Sequence, residues 1–479
     1  MMNRFEYQSY DGLGLAGLLY AGEVSPIELM RCAIDLAESS GTRYNALIYP
    51  KFEAALNRVA ACDPKGPFGA LPFLLKDSGL ASTFLPTSMG SRMFASMTSR
   101  IESTLNERFL AAGFQVFART TVPEFNMAPT TEAIQNGGPT RNPWDPSRSS
   151  GGSSGGAAVA VASGIVPIAH GSDGGGSIRI PASCCGVFGL KPSRGLLPFG
   201  PLRGEGWGGL ATDGVLTRTV RDTAAVLDAV AGMESGAPYA APAKPGSYLS
   251  TLGVMFGRPQ RIAIWREAWD DIPVALECLE AVNCAAGYLR SLGHEVVEQP
   301  PPQLKYANFI DSIIHVMAGN VAVTVNSFLR HNPKHDPQRE LEPAIYDAFC
   351  IGKRLSAEDY VLAINRFHSM SRLMAKYMEQ VDFVLSPTLT QLPLLLGALS
   401  TDDDFRSFRR KAGRYTAFLA VINASGQPAA SLPVHWAEQG LPVGVQLIGH
   451  FGADGGVLRL SAQLEEKSLW RDRKPPQAN

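Results

Sequence analysis

Apolar positions recur along this chain with two periods, and stretches of each kind alternate. In VSPIELMRCAIDLAESSG, Ile27, Met30, Ile34 and Leu36 fall on one helical face. Ser25 caps that helix, Pro26 suits its first position, Glu28 completes a capping box and Gly41 follows its end. From Ala70, ALPFLLKD is short and nearly all apolar, which predicts a strand buried on both faces. STLNERFLAAG predicts a helix stopped at Gly113, and FQVFAR the strand after it. TVRDTAAVLDAVAG predicts a helix with Thr219 as cap and Asp222 three residues on. RIAIW, VALECLEAVNCAAGYLRSLG and HEVVE read as strand, helix, strand. SAEDYVLAINRFHSMSRLMAKYMEQ is a long helix capped at Ser356, and the strand DFVLSPT follows. This alternation predicts an α/β fold, with helices covering a large sheet. No internal repeat or long linker divides the chain; the Pro/Ala/Gly-rich stretch Met233–Gly257 reads as a surface excursion.

Composition narrows the class. The 479 residues suffice for a substantial core, and a net charge of −1 gives no reason to expect nucleic acid or an anionic membrane surface as partner. Seven cysteines (Cys32, Cys62, Cys184, Cys185, Cys278, Cys284 and Cys350) include no CxxC pair and no zinc spacing, so free thiols in a reducing compartment are expected. The start, MMNRFEYQSYDG, has no apolar signal core. The longest apolar stretch, Ala157–Ala169, is too short to cross a bilayer and contains Gly164 and Pro167. The expectation is a soluble cytoplasmic protein.

Some candidate motifs carry little chemistry. GLGLAG, Gly12–Gly17, has the dinucleotide-binding spacing but no room for a preceding strand, so it reads as close packing at a helix. No histidine sits in HExxH or HxH spacing; His170 and His315 read as hydrogen-bonded or surface side chains, with His170 just ahead of a Gly-rich stretch. Two Ser/Gly clusters are more informative. GGSSGG, Gly151–Gly156, opens directly into an Ala-rich run, placing it at a helix N-terminus. GSDGGGSIRIPAS, Gly171–Ser183, has three glycines just before Ser177, a pattern that can turn successive N–H groups into one oxyanion-binding concavity. The connection between them is short enough to bring both clusters together at one sheet edge. Lys76 ends the apolar run PFLLK, where burial would lower its pKa and make it a base; the alternative is an ion pair with Asp77 or another acid.

Taken together, Lys76 in LLKD, GGSSGG and GSDGGGSIRIPASCCGVFGLKPSRG resemble the amidase signature hydrolases. TRNPWD, LTRTVRD, NASGQPAASLP and GLPVGVQLIG extend the likeness over nearly the whole chain. The resemblance implies a single α/β domain over residues 1–479 with a large mixed, twisted sheet flanked by helices. Its catalytic core would span about residues 65–232, and a divergent, pocket-forming middle about 233–376. It implies a Ser–cisSer–Lys triad, with Ser177 as nucleophile, Ser153 as bridge after a cis Gly152–Ser153 peptide, and Lys76 as base. The N–H groups of Gly174, Gly175, Gly176 and Ser177 would form the oxyanion hole, Asp173 and Arg179 would hold the loop, and Ser154 would support the bridge. No metal or organic cofactor is implied. Gly174 departs from the family, where Thr or Ile is common, and is expected to loosen the hole or admit a bulkier acyl group.

Within the family the chain looks most like the subgroup acting on nylon oligomers, anilides and urethanes. That implies a small, largely uncharged amide or carbamate substrate for a monomer or homodimer. Asn126, Met127, Thr130 and His315 are the expected pocket residues. Two alternatives are weaker. A glutamine-hydrolysing transamidase subunit often has Gln where this chain has Ile180, and a non-catalytic binding protein would not need Lys76, Ser153 and Ser177 intact.

Overall fold

The computed structural model describes residues 2–95 and 97–476. Its strands are β1 (Leu47–Ile48), β2 (Pro72–Lys76), β3 (Gln115–Thr120), β4 (Ile168–Asp173), β5 (Phe188–Lys191), β6 (Thr212–Thr217), β7 (Arg261–Ile264), β8 (Glu295–Glu298), β9 (Phe383–Pro387), β10 (Ala429–Trp436) and β11 (Pro442–Ile448). They form one sheet in the order β1-β3-β2-β4-β6-β5-β10-β11-β9-β7-β8. β2 runs parallel to β3 and β4, and β7 to β8 and β9; the other pairings are antiparallel. The α/β class and the mixed sheet are therefore as expected. β2, β5, β6, β9 and β11 are buried along their whole length, because helices cover the sheet.

Helices with complete local signals form where their sequence says. Pro26–Leu36 carries the Ser25/Glu28 capping box, then passes into a π-turn over Ala37–Gly41. Ala357–Met378 has the matching Ser356/Asp359 box. The helix Val220–Val230 differs from expectation. Thr219 gives its hydroxyl to Asp11, and Asp222 accepts the N–H groups of Gly12 (2.8 Å) and Leu13 (3.0 Å). Asp222 thus serves the start of another helix, Gly12–Tyr20, which contains the GLGLAG motif. A Cβ at Gly12 would lie 2.6 Å from the Ile168 side chain, so this glycine serves close packing.

β5, β6, β10 and β11 lack a readable hydrophobic period. Gly189, Gly214 and Gly444 interrupt them, and β10 contains Pro433 where its register with β11 shifts between Leu432 and His435. The Ser/Gly clusters meet well inside the sheet rather than at its edge, since β4 lies between β2 and β6. Parallel β2 and β4 end on the same side, which brings Lys76 and the loop after Asp173 together.

Candidate active site

Lys76 is wholly buried at the end of β2. Its N–H donates to His170 Nδ1 (3.2 Å) and its carbonyl accepts from Arg119 (3.0 Å), which fixes the backbone. The ammonium group reaches Ser153 Oγ at 2.7 Å, Ser172 Oγ at 2.9 Å and the Ser172 carbonyl at 3.2 Å. Among the described residues no carboxylate pairs with it. Asp77, the obvious partner, is occupied by the Ser88 N–H and hydroxyl, the Thr87 hydroxyl and the Gly90 N–H. Burial lowers the Lys76 pKa to about 7, against a partial pull upward from Asp213, Asp173 and Asp77.

Ser153 follows a cis Gly152–Ser153 peptide. Only glycine fits before it: a Cβ on Gly152 would lie 2.5 Å from the Thr130 carbonyl oxygen and 2.8 Å from that of Ala128. Ser154 ties the clusters together. Its N–H donates to the Ser177 carbonyl (3.1 Å), and its hydroxyl lies 3.3 Å from both the N–H and the carbonyl of Ser172. Ser153 and Ser177 are joined through this backbone; no hydrogen bond links their hydroxyls. Such contacts often close only when substrate binds.

Asp173 organises the loop before Ser177. Its carboxylate takes a bidentate pair from Arg179, both bonds 2.9 Å, and the N–H groups of Gly176 (2.7 Å) and Ile178 (3.1 Å). The Arg179 guanidinium holds the Asp173 carboxyl well below the usual carboxylate range. Arg179 continues to Gln446 (2.6 Å) and Asn423 (2.5 Å). One expectation is corrected here: the Gly176 N–H points to Asp173 and is unavailable to an oxyanion. The N–H groups of Gly174, Gly175 and Ser177 have no protein acceptor among the described hydrogen bonds.

The space left by Gly174 is filled from outside its own loop. A Cβ there would lie 2.6 Å from the Trp207 indole, so the glycine seats an aromatic ring instead of opening room for an acyl group. Trp207 itself has φ 55, followed by Gly208 and Gly209, also at positive φ. Beside Ser177, the indole lines a narrow cavity together with Asn126, Ile180, Met317 and Arg409.

Of the other expected pocket residues, Asn126 lines the cavity, and it and Phe125 both have left-handed backbone, φ 60 and φ 52. Met127 contributes its carbonyl, which accepts from Arg409, and the Thr130 carbonyl packs on Gly152. His315 is corrected. It sits on the helix Tyr306–His331 two positions from Met317, hence on a different face, and is not among the residues that line the cavity. The sequence reading missed Ser172, Trp207 and Arg409. Ser172 alternates with His170 on β4, so both face Lys76, a period-2 signal within AHGSD.

The amidase family profile matches residues 28–458. The chain belongs to the amidase signature family. It is 32% identical to a 6-aminohexanoate-cyclic-dimer hydrolase from Pseudomonas sp. (strain NK87), over 98% of this chain and 97% of that protein. The solved structure of 6-aminohexanoate cyclic dimer hydrolase superposes with a TM-score of 0.92 at 30% identity, covering 98% of this chain and 99% of the other. A bacterial aryl acylamidase of the same family superposes with a TM-score of 0.87 at 26% identity, covering 97% and 98%. This amidase is therefore a hydrolase of amide C–N bonds.

Proposed function

We propose that this amidase works through Lys76, Ser153 and Ser177 on a small amide or carbamate with an apolar body, of the nylon-oligomer, anilide or urethane type. The carrying observation is the 2.7 Å contact between a buried Lys76 amine, without a carboxylate partner, and Ser153 Oγ. Neutral Lys76 takes the Ser153 proton as Ser153 takes that of Ser177. Ser177 Oγ bonds to the carbonyl carbon, and the oxyanion is met by the N–H groups of Gly174, Gly175 and Ser177. The proton returns through Ser153 to the leaving nitrogen as the C–N bond breaks. Water then enters by the same relay and releases the acid from Ser177. Ile180 and Met317 in the cavity wall suit an apolar body, and among the described lining residues there is no acid to meet the α-ammonium group of glutamine.

Kinetics on a panel of anilides, aliphatic amides, lactam dimers and carbamates, with fluorophosphonate labelling, test this reading. Turnover of at least one class and labelling of Ser177 are expected. Ser177→Ala should lose both, with activity falling at least about 10³-fold and the fold intact. Substantial amidase activity in Ser177→Ala would overturn the nucleophile assignment.

A further inference from the structure

The helix Phe405–Tyr415 and the residue just after it close one side of the cavity beside Ser177. Arg409, Ala412 and Thr416 follow i, i+3, i+7 spacing and share the face turned to the cavity. Arg409 is 8% exposed. Its Nη1 donates to the Met127 carbonyl at 2.9 Å, while its Nε–H is shielded from solvent and has no acceptor. Among the described residues it forms no ion pair with Asp or Glu. The one ionisable neighbour acting on it is the Tyr306 phenol, which burial keeps neutral and whose hydroxyl donates to the Gly413 carbonyl at 3.0 Å. Burial lowers the guanidinium only to about 10, so it remains cationic at neutral pH.

A buried cation is ordinarily paired, because desolvation without a counter-charge is costly. Here protein supplies one carbonyl and no anion, and the guanidinium borders the cavity that holds Ser177. Asn126, on the same cavity, also has a shielded side-chain oxygen without a partner. Its amide can turn either its oxygen or its NH2 toward a ligand.

We propose that Arg409 is a specificity-determining residue, receiving a carboxylate that the substrate carries away from its scissile amide. The substrate class is then an amide with an apolar body and one anionic end, such as the half-amide of a dicarboxylic acid. This rests on the Ser177 cavity being the reaction site, and it amends the largely uncharged substrate expected from the sequence. Trp207, Ile180 and Met317 would meet the apolar body, leaving Arg409 as the charged contact.

The test compares the 4-nitroanilide of hexanoic acid with the mono-4-nitroanilide of adipic acid. Wild-type enzyme should favour the adipic compound in kcat/KM by about tenfold or more, mainly through KM. Arg409→Met should erase that preference, the adipic compound losing at least about tenfold more in kcat/KM than the hexanoic one, and Arg409→Lys should keep part of it. Equal losses on both substrates in Arg409→Met, or a wild-type preference for the neutral one, would overturn the proposal. Should Arg409→Met not fold, Arg409→Gln takes its place, and an unchanged substrate ratio there overturns the proposal. A binding arm needs no turnover: calorimetry with the adipic mono-anilide on Ser177→Ala should show binding that Arg409→Met weakens about tenfold or more. Hydrolysis without any dependence on Arg409 defeats this proposal alone. Arg409-dependent binding without hydrolysis of any amide defeats the catalytic reading alone.

Discussion

At the scale of single residues, the site depends on what burial does to one amine. Lys76 can accept a proton only when neutral, and its pKa of about 7 makes that form abundant near neutrality. The rate should therefore fall as pH drops below about 7 and level off above it. A pH profile of kcat/KM checks this: Lys76→Ala should lose most activity and the limb with it. Lys191, also lowered to about 7 by burial, donates to the Pro192 carbonyl and contacts neither serine, so Lys191→Met should keep the limb. The same shift affects stability. With a folded pKa of about 7 and an unfolded value of 10.5, the folded state binds fewer protons between them. The cost of burying Lys76 is thus greatest below pH about 7 and fades as pH rises toward about 10.5. Sequence alone left Lys76 open between the proposed role and an ion pair with Asp77; the ion pair is not formed because Asp77 is engaged by the loop from Thr87 to Gly90.

At the scale of elements, the loop after β4 and the glycine-flanked Trp207 form one packed unit. Gly174→Thr should force the indole away and destabilise the protein by about 1–3 kcal/mol. Trp207→Ala in that background should recover part of the loss, and thermal unfolding of the two single variants and the double variant measures the coupling. If the two effects merely add, the packing account of Gly174 fails. The elements that were legible carried complete local codes: a Ser cap with an acid three residues on, or an unbroken apolar run such as PFLLK. Those that were not, β5, β6, β10 and β11, take their strand form from neighbours on both sides in the sheet. The helix bearing Arg409 also went unread, although Phe405, Phe408, Ala412 and Tyr415 line its buried face.

At the scale of the whole molecule, the Arg179 pair with Asp173 ties the loop before Ser177 to β11 and to the helix Ala420–Ser425 through Gln446 and Asn423. Arg179→Met would leave Asp173 as an unpaired buried carboxylate, and should cost about 3–5 kcal/mol, read from denaturant unfolding. Because pairing depresses the Asp173 pKa, its stabilisation is complete above the unfolded value near 3.8 and is lost as pH falls below it. The wild-type advantage over Arg179→Met should shrink in strong acid. The sequence by itself determined the α/β class, the capped helices, and the clusters around Lys76, Ser153 and Ser177, because each is encoded within a few adjacent residues. Only the tertiary structure decided that the Gly176 N–H belongs to Asp173, that Trp207 fills the space over Gly174, that His315 faces away and that Arg409 borders the cavity. Those outcomes depend on groups distant in the chain competing for one volume or one hydrogen bond, and no local pattern records who prevails.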